Sequence, residues 1–552
     1  MIIYNYKYYL FELIFLLLFS EKIIMDLENN NETLDTKVEK PNHDILTEDD
    51  TLNPKYPKGN TTFWGAFIQI GNTILGAGII SLPVVIRYLG FPLGIIFILI
   101  IAYLTVYSSY LLLKAHQITR KKKYSSIAHA SMGGKGYLLT NIMIILNNFG
   151  LCCVYFRIFG DTIQNILGGY VAPDNFLVTN WHNFLYILII LVLMCFIIWT
   201  EDFEKFEKTS YLGMFGIIIY FITLFILLFY KISKGFDPFY SSDAYKVRGE
   251  YTNVLICMPS VFLSFSFQFN LFPLYSGLIN RTHHEMIKVT EASIIFCLFL
   301  YIFSGIAGFL LYGESLNDTI LLAFLTDMQD ENTDEVMKIL LIIINIGFVT
   351  CSTTSIPLVY YTLKQTFFST YKYIMKKNKK PGKNIEMIAV EKKDESSLGI
   401  IENGFGFDDS SDVESNEKNE NIQNANKEND NDNNIGRAGS TLSIDFNINE
   451  REKKIKVNVS KKEEIVISAF LYIFTGFITI LIPKLKSLFN IVGCTAANAI
   501  QFIIPCLIII SLGPKAEKLV NLLYAKLLLC FGIAALVICF TAEIIHFFSS
   551  AP

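Results

Sequence analysis

The chain is 552 residues long, 52% hydrophobic, 14% aromatic and only 17% charged, with a formal net charge of −4. Its mean hydropathy is positive, and the apolar residues gather into runs of about 17–30, long enough to cross the ~30 Å hydrocarbon layer as helices. That distribution excludes a soluble protein with two or more compact cores, and the small net charge says little, because a membrane protein sorts its charge by loop.

All ten cysteines fall inside apolar runs, so no exposed pair suggests a disulfide and no Cys/His spacing suggests zinc. Phosphate loops, nucleophile motifs and paired acid–base carboxylates are absent from the sequence. So is any basic patch or module that reads nucleic acid. The sequence therefore predicts neither an enzyme nor a resident cofactor, and no nucleic-acid partner.

In chain order, Tyr9 to Ser20 is a short apolar run interrupted by Glu12. It reads either as an interfacial helix or as a stretch upstream of a start at Met25. Residues 1–61 as a whole read as a disordered cytosolic tail, polar and acidic over 26–60. Eleven candidate spans follow, at 62–88, 90–115, 137–168, 181–200, 210–232, 253–277, 288–312, 336–368, 464–482, 487–512 and 521–548.

The first span holds Gly71, Asn72, Thr73, Ile74, Leu75, Gly76, Ala77, Gly78, Ile79, Ile80, Ser81, Leu82 and Pro83 in succession. Each glycine costs a helix ~1 kcal/mol relative to alanine, and proline costs more. Two readings stand: a glycine seam for close helix packing, or a helix split at mid-membrane. Asn72 and Thr73 favour the split. The second half would start near Gly76–Gly78 and turn bare amides toward an anion such as a carboxylate.

In the third span Arg157 and Asp161 lie four apart on one helical face, where intramembrane charge is costly enough to enforce pairing. Their place near the outer end predicts a structural pair or a gate. The sixth span carries Phe265, Ser266, Phe267, Gln268, Phe269, Asn270, Leu271, Phe272 and Pro273, a second interruption with polar groups and a proline. Breaks in spans one and six fit two inverted five-helix repeats with the substrate between them at the midplane. His283 and His284 read as solvated loop residues.

The eighth span holds Thr350, Cys351, Ser352, Thr353, Thr354 and Ser355 ahead of Pro357. Residues 369–463 form a loop rich in Asn, Glu, Asp and Lys, expected to be cytosolic and disordered. Basic residues such as Arg120, Lys121, Lys122, Lys123, Lys372 and Lys376 collect on one side of the spans, which predicts a cytosolic N-terminus and, with eleven spans, a C-terminus on the opposite side.

The run Gly71 to Pro83 resembles the first-helix signature of the amino acid/auxin permease family, which includes the sodium-coupled neutral amino-acid transporters. Phe265 to Leu278 is similar to that family's sixth-helix motif: Asn270, Phe272, Tyr275 and Leu278 match, whereas Gln268 replaces the usual His and Gly277 the usual Glu. Tyr155 with Gly160 and Asp161, and Gly493 with Pro505, extend the resemblance. It implies an all-α membrane protein of the amino acid–polyamine–organocation superfamily fold, with eleven transmembrane helices: two inverted repeats with helices 1 and 6 broken, plus one extra helix.

By the same resemblance, Thr73, Ile74, Leu75, Gly76, Ala77 and Gly78 would hold the substrate's amino and carboxyl groups through main-chain atoms. Phe267 and Gln268 would line its side-chain pocket, and Asn72, Thr353 and Ser355 would hold Na⁺ in a sodium-coupled member. Proton-coupled members exist, so the coupling ion is Na⁺ or H⁺. The expected function is secondary active transport of an amino acid by alternating access in a vacuolar, lysosome-like or plasma membrane. The alternative is an amino-acid sensor signalling through its tail or loop.

Overall fold

A computed structural model describes residues 59–171, 182–193, 206–236, 251–316, 319–378, 461–481 and 485–549. The expected start at Met25, almost all of the tail and most of the 369–463 loop lie outside the described residues. One compact unit comprises 1–371 and 459–552; the second, 372–458, is described only over 372–378, the end of a helix. Apart from one short bridge and the connecting turns, the described residues of the first unit are helical.

The first helix, α1 (Phe63–Gly78), is capped by Thr62, whose side-chain oxygen accepts the Gly65 N–H at 3.1 Å. It ends at Gly78, and α2 (Leu82–Thr119) begins after a turn. The break thus falls at 79–81, later than the glycines suggest. Pro83 sets it: lacking an N–H, proline cannot continue a helix and is welcome only in a first turn. Gly90, at φ +76°, then divides α2 into a short half that completes the first span and a long second span. Gly133, at φ +69°, likewise divides α3 (Tyr124–Gly168). Such positive φ angles favour residues without a Cβ.

Next come α4 (His182–Leu193) and α5 (Phe206–Ser233). The sixth span is broken as expected: α6 (Tyr251–Ser264) and α7 (Gln268–Gly277) are separated by three non-helical residues. They lead into α8 (His283–Tyr312), the short apolar α9 (Ile320–Gln329) and the long α10 (Glu335–Asn378). The last helices are α11 (Lys461–Leu481), α12 (Leu485–Val492), α13 (Ile504–Leu512), α14 (Pro514–Glu517) and α15 (Leu522–Ser549), with two π-helical stretches, Gly493–Ala497 and Ala499–Ile503, between α12 and α13.

Among the described residues nine helices are long and apolar enough to cross a membrane. The 16-residue α1 falls short because its span is broken, and α4 is described over only twelve residues. The chain is a multi-pass integral membrane protein.

Close backbone approaches and a few polar contacts hold the helices in place. Gly216 of α5 faces Gly347 of α10, where a methyl on either would stand 2.6–2.7 Å from the other's carbonyl oxygen. The segment before α1 pairs with the end of α7: the Thr61 N–H donates to Gly277 O at 2.9 Å, and the Ile279 N–H to Thr61 O at 3.0 Å. At the other end, α9 is tied down on three sides. Asp327 accepts from Lys231 Nζ at 3.0 Å and from the Tyr312 hydroxyl at 2.8 Å, Asn165 Nδ2 donates to Leu321 O at 2.9 Å, and the Ile320 N–H reaches Ile80 O at 3.5 Å. That last contact joins α9 to the unwound turn of the first span.

Candidate functional site

Breaking a helix inside a membrane frees main-chain groups that lipid cannot satisfy. Around the break between α6 and α7, side chains of other helices and of α7 itself satisfy several of them. The Tyr301 hydroxyl of α8 lies 2.8 Å from Ser264 O and 2.5 Å from Ile74 O of α1, so one buried proton serves carbonyls of both broken spans. Gln501, in the π-helical stretch, reaches Phe265 O at 3.3 Å and donates to Thr105 Oγ1 at 2.6 Å. The Phe267 N–H donates to Gln268 Oε1 at 3.1 Å, and the Ser266 hydroxyl to Asn147 Oδ1 of α3 at 3.4 Å. Asn270 links three helices, its Nδ2 lying 3.5 Å from Thr73 Oγ1 and its Oδ1 accepting from Thr362 Oγ1 at 3.1 Å.

The glycines of α1 are notches for two tyrosines. A methyl on Gly76 would strike the Tyr155 hydroxyl, and one on Gly78 would strike the Tyr301 hydroxyl and the Ser264 side chain. The sequence reading offers the main chain here to a substrate carboxylate; in this structure tyrosine hydroxyls stand beside it, where side chains would otherwise be. Gly78 O is itself occupied, accepting the Ser81 N–H at 3.1 Å and the Ser81 hydroxyl at 3.0 Å. Thr73 Oγ1 donates to Gln69 O at 2.8 Å, while Ile74 and Leu75 turn their side chains into the core.

Several fully buried polar atoms at this junction have no hydrogen-bond partner. They are both side-chain atoms of Asn72, Tyr155 Oη, Ser355 Oγ, Gln268 Nε2 and Asn147 Nδ2. Tyr155 and Ser355 lie near enough to interact, but without hydrogen-bond alignment. Native interiors pair nearly all such atoms, so a cluster of orphans marks a place where something else binds. Gln268 and Asn147 both commit their oxygens to the break and leave N–H donors free.

Of the three residues expected around Na⁺, Asn72 and Ser355 are buried and face this junction. Thr353 is only half-buried. On α10, Cys351 Sγ points at Gly76 O at 3.9 Å, and a methyl on Gly213 of α5 would strike both the Asn72 carboxamide and the Thr354 hydroxyl. At 100° per residue, Cys351, Thr354 and Ser355 share a face and Thr353 points about 150° away. Thr354 therefore stands where Thr353 was expected. Asn72 Oδ1, Thr354 Oγ1 and Ser355 Oγ are hard neutral oxygens, a donor set that suits a hard monovalent cation.

Arg157 Nε lies 2.9 Å from Asp161 Oδ1. On α3 the two fall about 160° and 120° round the helix from Tyr155, away from the junction. His283 is not the solvated residue expected: its ring stacks on His116 at 5.3 Å, and the Tyr275 ring lies 5.4 Å from it. Tyr301, Gln501, Asn147 and Thr354 had not been singled out as site residues. Their partners lie on other helices, and the local sequence around each carries no mark of the partner it meets across the fold.

The profile of the family described as transmembrane amino acid transporter protein matches residues 59–548. Among individual relatives, amino acid transporter AVT6E of Arabidopsis thaliana is 25% identical over 55% of this chain and 62% of its own length. Sodium-coupled neutral amino acid transporter 7 of Danio rerio is 23% identical over 49% of this chain and 58% of its own. The chain spans about three fifths of the length of the curated relatives it matches. The fold is shared with MhsT, solved in complex with L-phenylalanine, at a TM-score of 0.53 and 12% identity over 88% of this chain and all of that one. These relatives are transporters and not enzymes. With its profile match running through both broken spans, the chain belongs to the amino acid/auxin permease family of transmembrane amino acid transporter proteins.

Proposed function

We propose that the chain is a secondary active transporter that carries an amino acid by alternating access around a single site between the two broken spans. The observation that carries this reading is the set of orphaned, fully buried polar atoms on Asn72, Asn147, Tyr155, Gln268 and Ser355, which lie along the second half of α1, near Asn72 and Gly76, and at the break at 265–267. Main-chain groups from Thr73 to Gly78 and on through Ser81 receive the substrate's amino and carboxyl groups. Phe267 and Gln268 meet its side chain. No carboxylate need neutralise the substrate amine, since main-chain carbonyls can coordinate it.

Coupling to Na⁺ is the reading the donor set favours, with Asn72, Thr354 and Ser355 as ligands; the sodium-coupled neutral amino acid transporter 7 of Danio rerio, a relative, agrees with it. Eleven spans in two inverted repeats plus one helix, a cytosolic N-terminus and a pair at Arg157 and Asp161 that braces α3 complete the picture. The sensor alternative gains no support from the relatives, which are named as transporters. The membrane is vacuolar, lysosome-like or plasma.

Reconstitution into proteoliposomes tests the reading. Uptake of labelled amino acids is measured under an imposed sodium gradient, an imposed proton gradient, or neither. Concentrative uptake driven by sodium is expected. Uptake driven by a pH gradient alone would leave transport standing and remove the sodium site; no gradient-driven uptake of any amino acid would overturn the reading.

A further inference from the structure

The orphaned polar atoms do not stop at the central junction. They continue along α3 toward its N-terminal end, where Asn148 Oδ1 and Asn141 Nδ2 are also buried and unpaired. Both residues are at most 1% exposed. Asn141, Asn148 and Tyr155 are spaced by seven, which keeps them within about 40° on one face and spreads them over about 21 Å of helix.

A second row with the same spacing runs along α10: Ser355, Thr362 and Ser369. The two rows face each other. Tyr155 meets Ser355 at the centre, and at the far end the Tyr137 hydroxyl of α3 reaches Ser369 O at 3.4 Å. Thr362 lies between and bonds Asn270 of α7.

The opposite half of α3 differs. Asn165, also buried, has its amide donors engaged by Leu321 O at 2.9 Å and Asn345 Oδ1 at 3.3 Å. Asn148 Nδ2 likewise donates to Ile144 O at 3.0 Å, so the two sides differ in one respect: Asn165 keeps no orphaned atom, whereas Asn148 and Asn141 keep one each. A seven-residue spacing is also what two packed helices want. Packing, however, asks for apolar or mutually bonded side chains, and unpaired amides in a membrane interior weaken it.

We propose that these facing polar rows line the route by which the amino acid leaves the central site toward the cytosol, with Asn148 and Asn141 of α3 as its successive polar contacts. The proposal rests on the transport reading and on the cytosolic placement of the loop before α3. The orphaned amides become paired as the half-helices open and the polar ends of the substrate and its water pass between the rows.

The experiment compares wild-type protein with Asn141→Leu, Asn148→Leu and Asn148→Ser in proteoliposomes, with melting temperature and equilibrium binding measured on the same preparations. Leucine keeps asparagine's branched shape with somewhat bulkier ends and replaces an orphaned polar atom by an apolar one; the gain offsets the added bulk and, at Asn148, the lost bond to Ile144 O, so both leucine variants should melt close to the wild-type temperature. Binding should stay within twofold, while the maximal uptake rate falls tenfold or more; Asn148→Ser should recover most of the rate. An unchanged rate would overturn the route, as would a rate loss accompanied by lower melting temperature or lost binding, which marks a structural amide. If the wild-type protein moves no amino acid, the transport reading fails and takes the route with it. If wild type and leucine variants transport alike, the route alone fails.

Discussion

Gly78 illustrates how one residue singled out for its main chain also answers a packing need. Its missing side chain makes room for the Tyr301 hydroxyl and the Ser264 side chain. Gly78→Ala should therefore overpack a well-filled interior, at a cost of about 1–3 kcal/mol. We expect a lower melting temperature with uptake per folded molecule also reduced; normal melting would show that the notch is looser than described. Tyr301→Phe probes the same contact from the other side. Removing the hydroxyl leaves Ser264 O buried without that donor, a loss of about 1–3 kcal/mol, read as reduced thermal stability in detergent. Asn72→Ala should act in the opposite sense. Because both its polar atoms are unpaired, its loss should leave melting without sodium unchanged or raised, while the stabilisation produced by added sodium disappears. Sodium-dependent stabilisation equal to that of wild type would remove Asn72 from the cation site.

At the scale of elements, the existence of both broken spans was legible in the sequence and their partners were not. Pro83 opens the helix after the first break, and Pro273 lies within α7 just after the second; each proline disfavours a continuous helix and has polar residues beside it, and that signal is local. The exact break in the first span was misplaced because three glycines were weighed as helix breakers. They serve instead as points of close approach to α3, α5 and α8, which only the fold reveals. The same holds for Thr354, which differs from Thr353 by a rotation that depends on how α10 is turned. The short helix α9 makes a separate prediction. Asn165→Leu should leave Leu321 O without its donor and loosen α9 locally, speeding amide exchange over 320–329 by about tenfold or more. Exchange unchanged in that segment would mean that Lys231, Tyr312 and Ile80 hold it unaided.

For the whole molecule, the account joins a scaffold to a moving part. Helices α3, α8, α10 and the π-helical stretch near Gln501 supply fixed side chains that cap the open ends of the two broken spans. The short backbone pairing of Thr61 with Gly277 and Ile279 ties the start of one broken span to the end of the other, so that the two would swing together. Membrane sidedness rests on the distribution of basic residues: an epitope inserted near position 420 should be cytosolic, and one after Pro552 should be on the opposite face. Both on one side would overturn eleven spans. The measurement closest to the central claim is an electron cryomicroscopy map of the protein saturated with an amino acid that it transports. The account predicts ligand density between residues 79–81 and 265–267, within hydrogen-bond reach of Gln268 Nε2 or Asn147 Nδ2. Density seated elsewhere, with those two amides still unpaired, would contradict it.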